Sequence, residues 1–519
     1  MEALAAVLGL LFVVVVLFEV AGRIGVPYPT LLILGGLALA FVPGLPQLAL
    51  EPDLVLLVFL PPLLFGAAFE TSLRDLRANI GPISRLSVGL VIFTIGVVAA
   101  VSQAAIPELG WGAAFTLGAI VAPTDALAAT TVFRRLRVPA RVVTILEGEG
   151  LLNDATALIA YRTAVLATVS GTFIVDQTAV SFVVAGLGGI ILGAVAAIVA
   201  GFVLGRLDDP PVEVAISLLV PFAAYLPADE LGLSGVLAAV VAGLVLGRRS
   251  PTILTPDSRL LGAATWGMVT FILNGFAFIL IGLELPEVMA GLAGQPPIDL
   301  LFDVVVVCLT VIVARFVWTF VTARLRGSAV SSMSRIDRRL GKGVMFLIGW
   351  SGLRGAVSLA AALALPVGFP ARDLILLLTF AVILATLVGQ GLTLPLVVRG
   401  LSLHGVESER NEETLARATA NAAGVAAAER LREVWPAHLP LLDRISATFE
   451  DQARHLATDD PEETRERDQE RIEHETIRRE VLAAQRGSVI DLRDRGEISD
   501  DVLRTIEREL DLEELRMEA

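Results

Sequence analysis

The sequence predicts an all-α polytopic membrane protein, in which about thirteen helices cross a bilayer and a small helical domain follows. Three observations carry this reading. The chain of 519 residues is 55% hydrophobic, with a mean hydropathy of +0.75, far too apolar for a soluble enzyme of its size. About thirteen apolar segments are long enough, or nearly so, to span a hydrocarbon core ~30 Å thick. Aromatic residues make up only 6% while Gly, Ala, Val and Leu abound, and small residues let membrane helices approach closely.

In order, the segments are 2–22, 28–46, 53–71, 83–106, 111–133, 140–169, 179–205, 211–227, 232–248, 260–284, 299–323, 342–366 and 373–398. Met1-Glu2 offers no basic n-region and leads straight into a full-length span, so no cleaved secretory signal is expected. Segment 211–227 is short. Segment 140–169 is long and is expected to tilt, with its first turns at the interface. The connecting loops alternate in charge. One set holds Arg23, then Arg74, Arg77 and Arg85, then Arg134, Arg135, Arg137 and Arg141. It continues with Arg206, with Arg248, Arg249 and Arg259, with the stretch from Arg324 to Lys342, and with Arg399. The other set holds almost only Arg372, beside acids such as Glu51, Asp53, Glu108, Asp229, Glu230 and Glu287. The positive-inside rule then puts the N-terminus outside and the C-terminal tail in the cytoplasm. An odd number of spans gives the same orientation.

Two spans are interrupted. In the fifth, GAIVAPTDALAATT sets Pro123 among small and β-branched residues, and proline removes a helix hydrogen bond and crowds the preceding turn. In the twelfth, GWSGLRGAVSL places Gly349, Gly352 and Gly355 around Arg354. One break in each half of the membrane domain points to an inverted-repeat transporter with its site near mid-membrane.

After Arg399 the pattern changes. Residues 1–400 carry 23 basic and 24 acidic side chains, whereas 401–519 carry 17 and 30. So acidic a tail argues against nucleic acid and against docking on anionic lipid. Segments 410–435, 440–457, 462–486 and 499–516 are helical in character, with a polar break at Asp459-Asp460-Pro461. Ile472, Val481, Leu482, Val489, Ile490, Leu492, Val502, Leu503, Ile506 and Leu510 supply a modest core, and Ser499 or Asp500 caps the last helix. No nucleotide or metal signature is present, and the tail reads as a structural or dimerising domain, its ligand, if any, left open. Cys308 is the only cysteine, which excludes an intrachain disulfide or a cysteine metal site. His404, His438, His455 and His474 all lie in the tail, so proton chemistry inside the membrane has to use carboxylates.

The chemistry concentrates between Ala119 and Val165, where Asp125, Glu147, Glu149 and Asp154 interrupt an apolar sequence. An ionised side chain at a bilayer centre costs ~2.5–3.5 kcal/mol on insertion scales, so these acids need partners: cations, protons or arginine. Glu149 and Asn153 are four apart and share a helix face. Asp154 shares a neighbouring face with Gly150, which leaves room beside the carboxylate for a dehydrated ion or a water. Asp125 lies at a helix break, where freed backbone carbonyls, that of Thr124 among them, can join the coordination. Carboxylate, carbonyl and hydroxyl oxygens are what hard alkali cations take. Burial raises a carboxylate's affinity for a proton and a nearby cation lowers it, so one site holds either a proton or a metal ion. Arg315 is a lone cation in the apolar eleventh span; unpaired it would be costly, and Glu149 is the partner assigned to it. Arg354, at the second break, neutralises exposed carbonyl ends there or orients the core. Glu70 lines an entrance or marks the interface. Glu147 is read as interfacial or hydrogen-bonded, and Glu19, Arg162, Glu213 and Asp303, near span ends, as interfacial.

FLPPLLFGAAF, APTDALAATTVF, EGEGLLNDATAL, VIVARFVWTF and WSGLRGAVSLAAAL, in this order, resemble successive signatures of the Na+/H+ antiporters of the NhaP/NHE type. The resemblance covers essentially all of residues 1–400. It implies alternating access by a core part (about 83–169 and 299–398) moving against a dimerisation part (about 1–80 and 179–284), a homodimer in the cell membrane, and no cofactor. It makes Asp154 the ion- and proton-carrying carboxylate, preceded by Asn153, with Asp125 and Thr124 at the first crossover, Arg354 at the second, and Glu149 paired with Arg315. An Asn-Asp pair goes with electroneutral one-for-one exchange in this family. The sequence departs from the family at three positions: Gly66, where a carboxylate is frequent, Gly150, where Ser is usual, and Ala126, where Pro is usual. The first two remove oxygen ligands and bear on ion affinity and on Na+ against K+ preference. A water can replace the missing serine hydroxyl. A cation channel is disfavoured by the absence of a filter-like motif, and a membrane-anchored sensor by the intact Asp125, Asn153 and Asp154.

Overall fold

The computed structural model describes residues 2–456, apart from 25, 43–51, 137, 172–174, 293, 326–334, 367 and 402–405, and part of 473–513. Glu51, Arg137, Ile472, the Asp459-Asp460-Pro461 break and the cap at Ser499 or Asp500 lie outside the described residues. Those residues are almost entirely helical, with no strand among them. They divide into two compact units, Met1–Gly405 and Val406–Ala519.

The first unit opens with α1 (Glu2–Ile24), α2 (Tyr28–Ala40), α3 (Pro52–Glu70) and two short helices, α4 (Leu73–Ala78) and α5 (Ile80–Ser84). A π-helical turn over Arg85–Gly89 joins α5 to α6 (Leu90–Ala105). Then come α7 (Gly110–Val121), α8 (Ala126–Arg135), α9 (Ala140–Ser170), α10 (Val175–Leu204), α11 (Pro210–Glu230), α12 (Gly235–Ile253), α13 (Pro256–Gly291) and α14 (Pro297–Leu325). The unit ends with α15 (Arg335–Trp350), α16 (Ala356–Leu363), α17 (Arg372–Leu384), a second π-helical turn over Ala385–Gln390, and α18 (Gly391–Gly400).

Nine helices among the described residues are long and apolar enough to cross a membrane, and Tyr28–Ala40 and Leu57–Glu70 are shorter apolar helices. The expected segments missing from that set are 140–169 and 342–366. The first forms the 31-residue α9 but carries Glu147, Glu149 and Asp154. The second is broken into α15 and α16. Charge in the first and the break in the second keep them short of a continuous apolar span. Segment 211–227 lies on the 21-residue α11, started by Asp209, whose side chain accepts from the Val212 amide.

Helices pack here through small residues rather than large ones. A Cβ on Gly36 of α2 would overlap the Ile279 carbonyl of α13, and one on Gly282 of α13 would overlap the Ile33 carbonyl of α2. The two backbones therefore touch, which is the close approach that glycine allows in lipid. Both breaks fall inside the bundle. Residues 122–125 separate α7 from α8, and 351–355 separate α15 from α16. Their chain paths meet: the Asp125 amide donates to the Leu353 carbonyl at 2.7 Å.

Of the four charges read as interfacial, Glu19 forms an exposed pair with Arg23 at 2.9 Å, Arg162 pairs with Asp229, and Asp303 is half-buried. Glu213 departs from that reading: it is 1% exposed. It stands only one turn into α11, but neighbouring helices cover that turn, which position along the chain cannot show.

In the second unit, α19 (Val406–Val434) and α20 (Leu439–Leu456) form a hairpin around a short turn at Pro436–His438. Arg432 pairs with Asp443 at 2.6 Å, and Gly424 faces the Phe449 ring, so the two helices run antiparallel. Of the core residues expected in the tail, Leu482, Leu503 and Leu510 are buried, whereas Val481 and Val502 are exposed. The apolar side chains there outnumber the buried positions that the helices provide.

Candidate functional site

Two broken helices and the middle of α9 build the site. On α9, Glu149, Asn153 and Asp154 are all buried. Glu149 meets Arg315 of α14 in a two-pronged ion pair: Arg315 Nη1 donates to Oε1 and Nη2 to Oε2, the latter at 2.9 Å. Arg315 Nε donates to the Ile348 carbonyl at 3.0 Å. Both side chains are 1% exposed, and a fork of parallel hydrogen bonds is the geometry in which arginine best neutralises a buried carboxylate.

Thr124 ties this pair to the first break. Its hydroxyl donates to Glu149 Oε1 at 2.9 Å and accepts from Asn153 Nδ2 at 2.8 Å. Its carbonyl also accepts from Asn153 Nδ2, at 3.0 Å. The freed Thr124 carbonyl is therefore already engaged, and Asn153 holds the break in place. Asn153 Oδ1 is buried, with no hydrogen-bond partner among the described residues.

Asp125 caps α8. Its Oδ1 accepts from the Leu127 amide at 2.8 Å, which leaves Oδ2 outside that bond. A Cβ on Gly355 would run into Oδ2, so the second break passes against this carboxylate only because residue 355 is glycine. Gly352 has the same role between the two arginines: a Cβ there would strike Arg315 Cδ and lie 2.7 Å from Arg354 Nη1.

Arg354 is 1% exposed and pairs with no carboxylate among the described residues. Its Nε donates to the Val121 carbonyl at 3.1 Å, at the end of α7, and Nη1 donates to the Gly352 carbonyl. Its amide donates to Thr386 Oγ1 at 3.1 Å. A guanidinium at two carbonyl ends offsets the negative pole of a half-helix. Of the two roles left open for Arg354, the hydrogen bonds match the neutralising of carbonyl ends.

Asp154 carries no hydrogen bond or ion pair among the described residues, and it lies within electrostatic reach of Asp125. Both line a cavity of about 490 Å³ together with Thr124, Gly150, Tyr28 and Trp266. Toward one end the cavity reaches Glu70, which is exposed. Arg134 and Glu147 also line it and pair with each other at 2.7 Å. The site thus has one carboxylate without a partner among the described residues, a second with one oxygen committed to the backbone, and a cavity that both line. That is chemistry for taking up a small cation or a proton.

The glycines at two family departures have structural neighbours. A Cβ on Gly150 would come 3.1 Å from Ala126 Cβ and 3.8 Å from the Thr124 carbonyl. Two departures, Gly150 and Ala126, therefore face each other. The start of α8 stands close to Gly150, and Gly150 also lines the cavity that Asp154 opens onto. A Cβ on Gly66 would lie 3.3 Å from Trp266 Cε3, so the tryptophan ring stands where a longer side chain would project.

Sequence reasoning did not find Thr386 or Trp266. Thr386 sits in a π-helical turn and Trp266 inside an apolar run of α13. Neither carries a charge or spacing that would single it out.

The model of the transmembrane sodium/hydrogen exchanger family matches residues 9–400. A Mycobacterium tuberculosis protein named as an uncharacterized Na+/H+ exchanger is 34% identical over 99% of this chain and 96% of the relative. The sodium, potassium, lithium and rubidium/H+ antiporter of Bacillus subtilis is 33% identical over 72% of this chain and 58% of its own length. The fold is similar to that of the sodium proton antiporter MjNhaP1 of Methanocaldococcus jannaschii, with a TM-score of 0.60, 20% identity, and coverage of 77% of this chain and 99% of that one.

Proposed function

The chain belongs to the transmembrane sodium/hydrogen exchanger family, and from that premise we propose that it is a secondary active antiporter exchanging Na+ for H+ across the cytoplasmic membrane. Members of this family are transporters rather than enzymes, and cation/proton exchange is the activity its named relatives share. One observation carries the proposal: Asp154 is buried, has no hydrogen-bond or ion-pair partner among the described residues, and lines a cavity together with Asp125. A carboxylate so placed has to be neutralised by whatever enters. Na+ binding at Asp154 and Asp125 displaces a proton. The loaded or protonated site then reorients, whereas the bare charged site crosses poorly because desolvating it is costly. That asymmetry couples the two fluxes. With a single protonatable carboxylate beside Asn153, exchange is one-for-one and electroneutral.

In this reading the core part is about 83–169 and 299–398, and it moves against a dimerisation part of about 1–80 and 179–284. The N-terminus is outside, and 401–519 is a cytoplasmic helical domain. Glu70, Arg134 and Glu147 belong to helix ends joined to arginine-rich loops, so the cavity faces the cytoplasm. The exposed apolar side chains of α1 and α10 offer surface to lipid and to a second copy in a homodimer. No cofactor takes part.

K+ and Li+ are the second reading of the cation. Gly66 and Gly150 withhold oxygen ligands, which weakens discrimination by size, and the Bacillus subtilis relative is named for four alkali cations. The test is proton flux in proteoliposomes driven by Na+, Li+ or K+ gradients. Wild type is expected to move protons against at least one cation, without voltage dependence, and Asp154→Asn is expected to abolish it while keeping the fold. Full exchange by Asp154→Asn would refute the assignment.

A further inference from the structure

Glu213 lies in the first turn of α11 and is 1% exposed. Both carboxylate oxygens are enclosed, and among the described residues neither has a hydrogen-bond partner. Amide dipoles at the start of a helix favour a negative side chain, but none of them donates to these oxygens. An ionised carboxylate taken out of water without a partner is costly. Glu213 is among the residues that line a cavity of about 110 Å³, together with Ser217, Ser250 and Ser258. A water's share of liquid volume is ~30 Å³, so the space is large enough for an alkali ion with a small remnant of its hydration shell.

The other charged side chains lining this cavity are Glu70 and Arg259. Glu70 is exposed. Arg259 directs Nη1 to the Leu254 carbonyl at 2.7 Å and makes no ion pair with Glu213 among the described residues. Ser217 Oγ donates to the Val214 carbonyl at 2.7 Å and accepts from Trp266 Nε1 at 3.0 Å. Ser258 Oγ shares a hydrogen bond with Thr255 Oγ1 at 2.7 Å. A hydroxyl has two acceptor lone pairs, so these bonds do not exhaust what the serine oxygens can accept. Gly66, Glu70 and Trp266 line this cavity and the one holding Asp154 alike, so the two spaces share a wall.

We propose that Glu213, with the hydroxyls of Ser217, Ser250 and Ser258, forms a second site for an alkali cation, separate from Asp125 and Asp154. Carboxylate and hydroxyl oxygens are the donors that hard cations take. A bound ion neutralises the one enclosed charge in this part of the bundle and links α11, α12 and α13, which carry the four ligands. The inference rests on the buried carboxylate and its cavity, and it stands whether or not Asp154 carries the exchanged ion.

The test uses full-length protein with Asp125→Asn and Asp154→Asn, purified in detergent, so that the two carboxylates of the first site are silenced. Its Tm is followed in NaCl or KCl against choline chloride at equal ionic strength. The expected result is a saturable rise in Tm specific to the alkali cation. It is lost on adding Glu213→Gln and weakened on adding Ser250→Ala. Circular dichroism and size exclusion in choline chloride report whether each variant folds. Should Glu213→Gln fail to fold, Glu213→Asp keeps the charge but moves it, and a weakened response is expected. No cation-specific shift in the starting variant overturns the proposal, as does a shift that survives Glu213→Gln or is unchanged in Glu213→Asp. Proton flux by wild type and Asp154→Asn in liposomes reads the exchange assignment independently.

Discussion

Glu149 and Arg315 take two full charges out of solvent and return them to each other. Breaking a buried pair by removing one partner costs ~3–5 kcal/mol, because it strands the other charge. Arg315→Met is therefore expected to lower the Tm of purified protein sharply, and Glu149→Gln added to it is expected to recover part of the loss. A second prediction concerns Gly355. Its alanine variant places a methyl group against Asp125 Oδ2, which moves the carboxylate. Gly355→Ala should slow exchange in liposomes by about tenfold, equivalent to ~1.4 kcal/mol in the barrier, with a smaller effect on Tm. The need for a partner was legible at this scale: a lone arginine in an apolar helix requires a carboxylate, and Glu149 was within the chemistry available. What chain position could not give was depth. Glu213 sits close to Asp208 and Asp209 in the sequence and reads as an end-of-span charge, until the neighbouring helices are packed around it.

The working elements are the two interruptions, and each is held by the other. The Asp125 amide bonds the Leu353 carbonyl, and Arg354 reaches back to Val121. The breaks were visible as Pro123 and as a run of three glycines, because proline and glycine act on the local backbone. Their mutual stitching depends on contacts far apart in sequence and left no such sign. The π-helical turns were equally hidden. At the first, the Arg85 carbonyl accepts both from the Leu90 amide and from Trp318 Nε1, the latter at 3.0 Å, and in the second the Leu387 carbonyl accepts from Thr30 Oγ1 at 2.8 Å. Neither turn carries a proline to announce it. Arg354→Gln tests the stitching. Stranding a buried carbonyl costs ~1–3 kcal/mol, so Tm should fall and exchange should drop with it. Arg354→Lys should restore little, since an ammonium lacks the forked geometry.

At the scale of the molecule, the apolar segments marked the membrane helices, and the two that fall short of a continuous apolar span, 140–169 and 342–366, are the ones that form α9 and the α15–α16 pair. The shortfall has a physical cause: buried charge and a broken helix both subtract from apolarity. The central claim is that one enclosed carboxyl system accepts a proton or an alkali cation by turns. Competition of that kind sets the sign of the pH response: as pH falls, protons occupy the site and the apparent affinity for Na+ weakens, by up to tenfold for each pH unit. The most direct measurement is calorimetric titration of purified protein with Na+ (and K+ for comparison) in buffers of different ionisation enthalpy, which counts protons released for each cation bound. The account predicts proton release on binding, cation affinity that weakens toward acid pH, and loss of the released proton in Asp154→Asn. Cation binding that is independent of pH and releases no proton would contradict it.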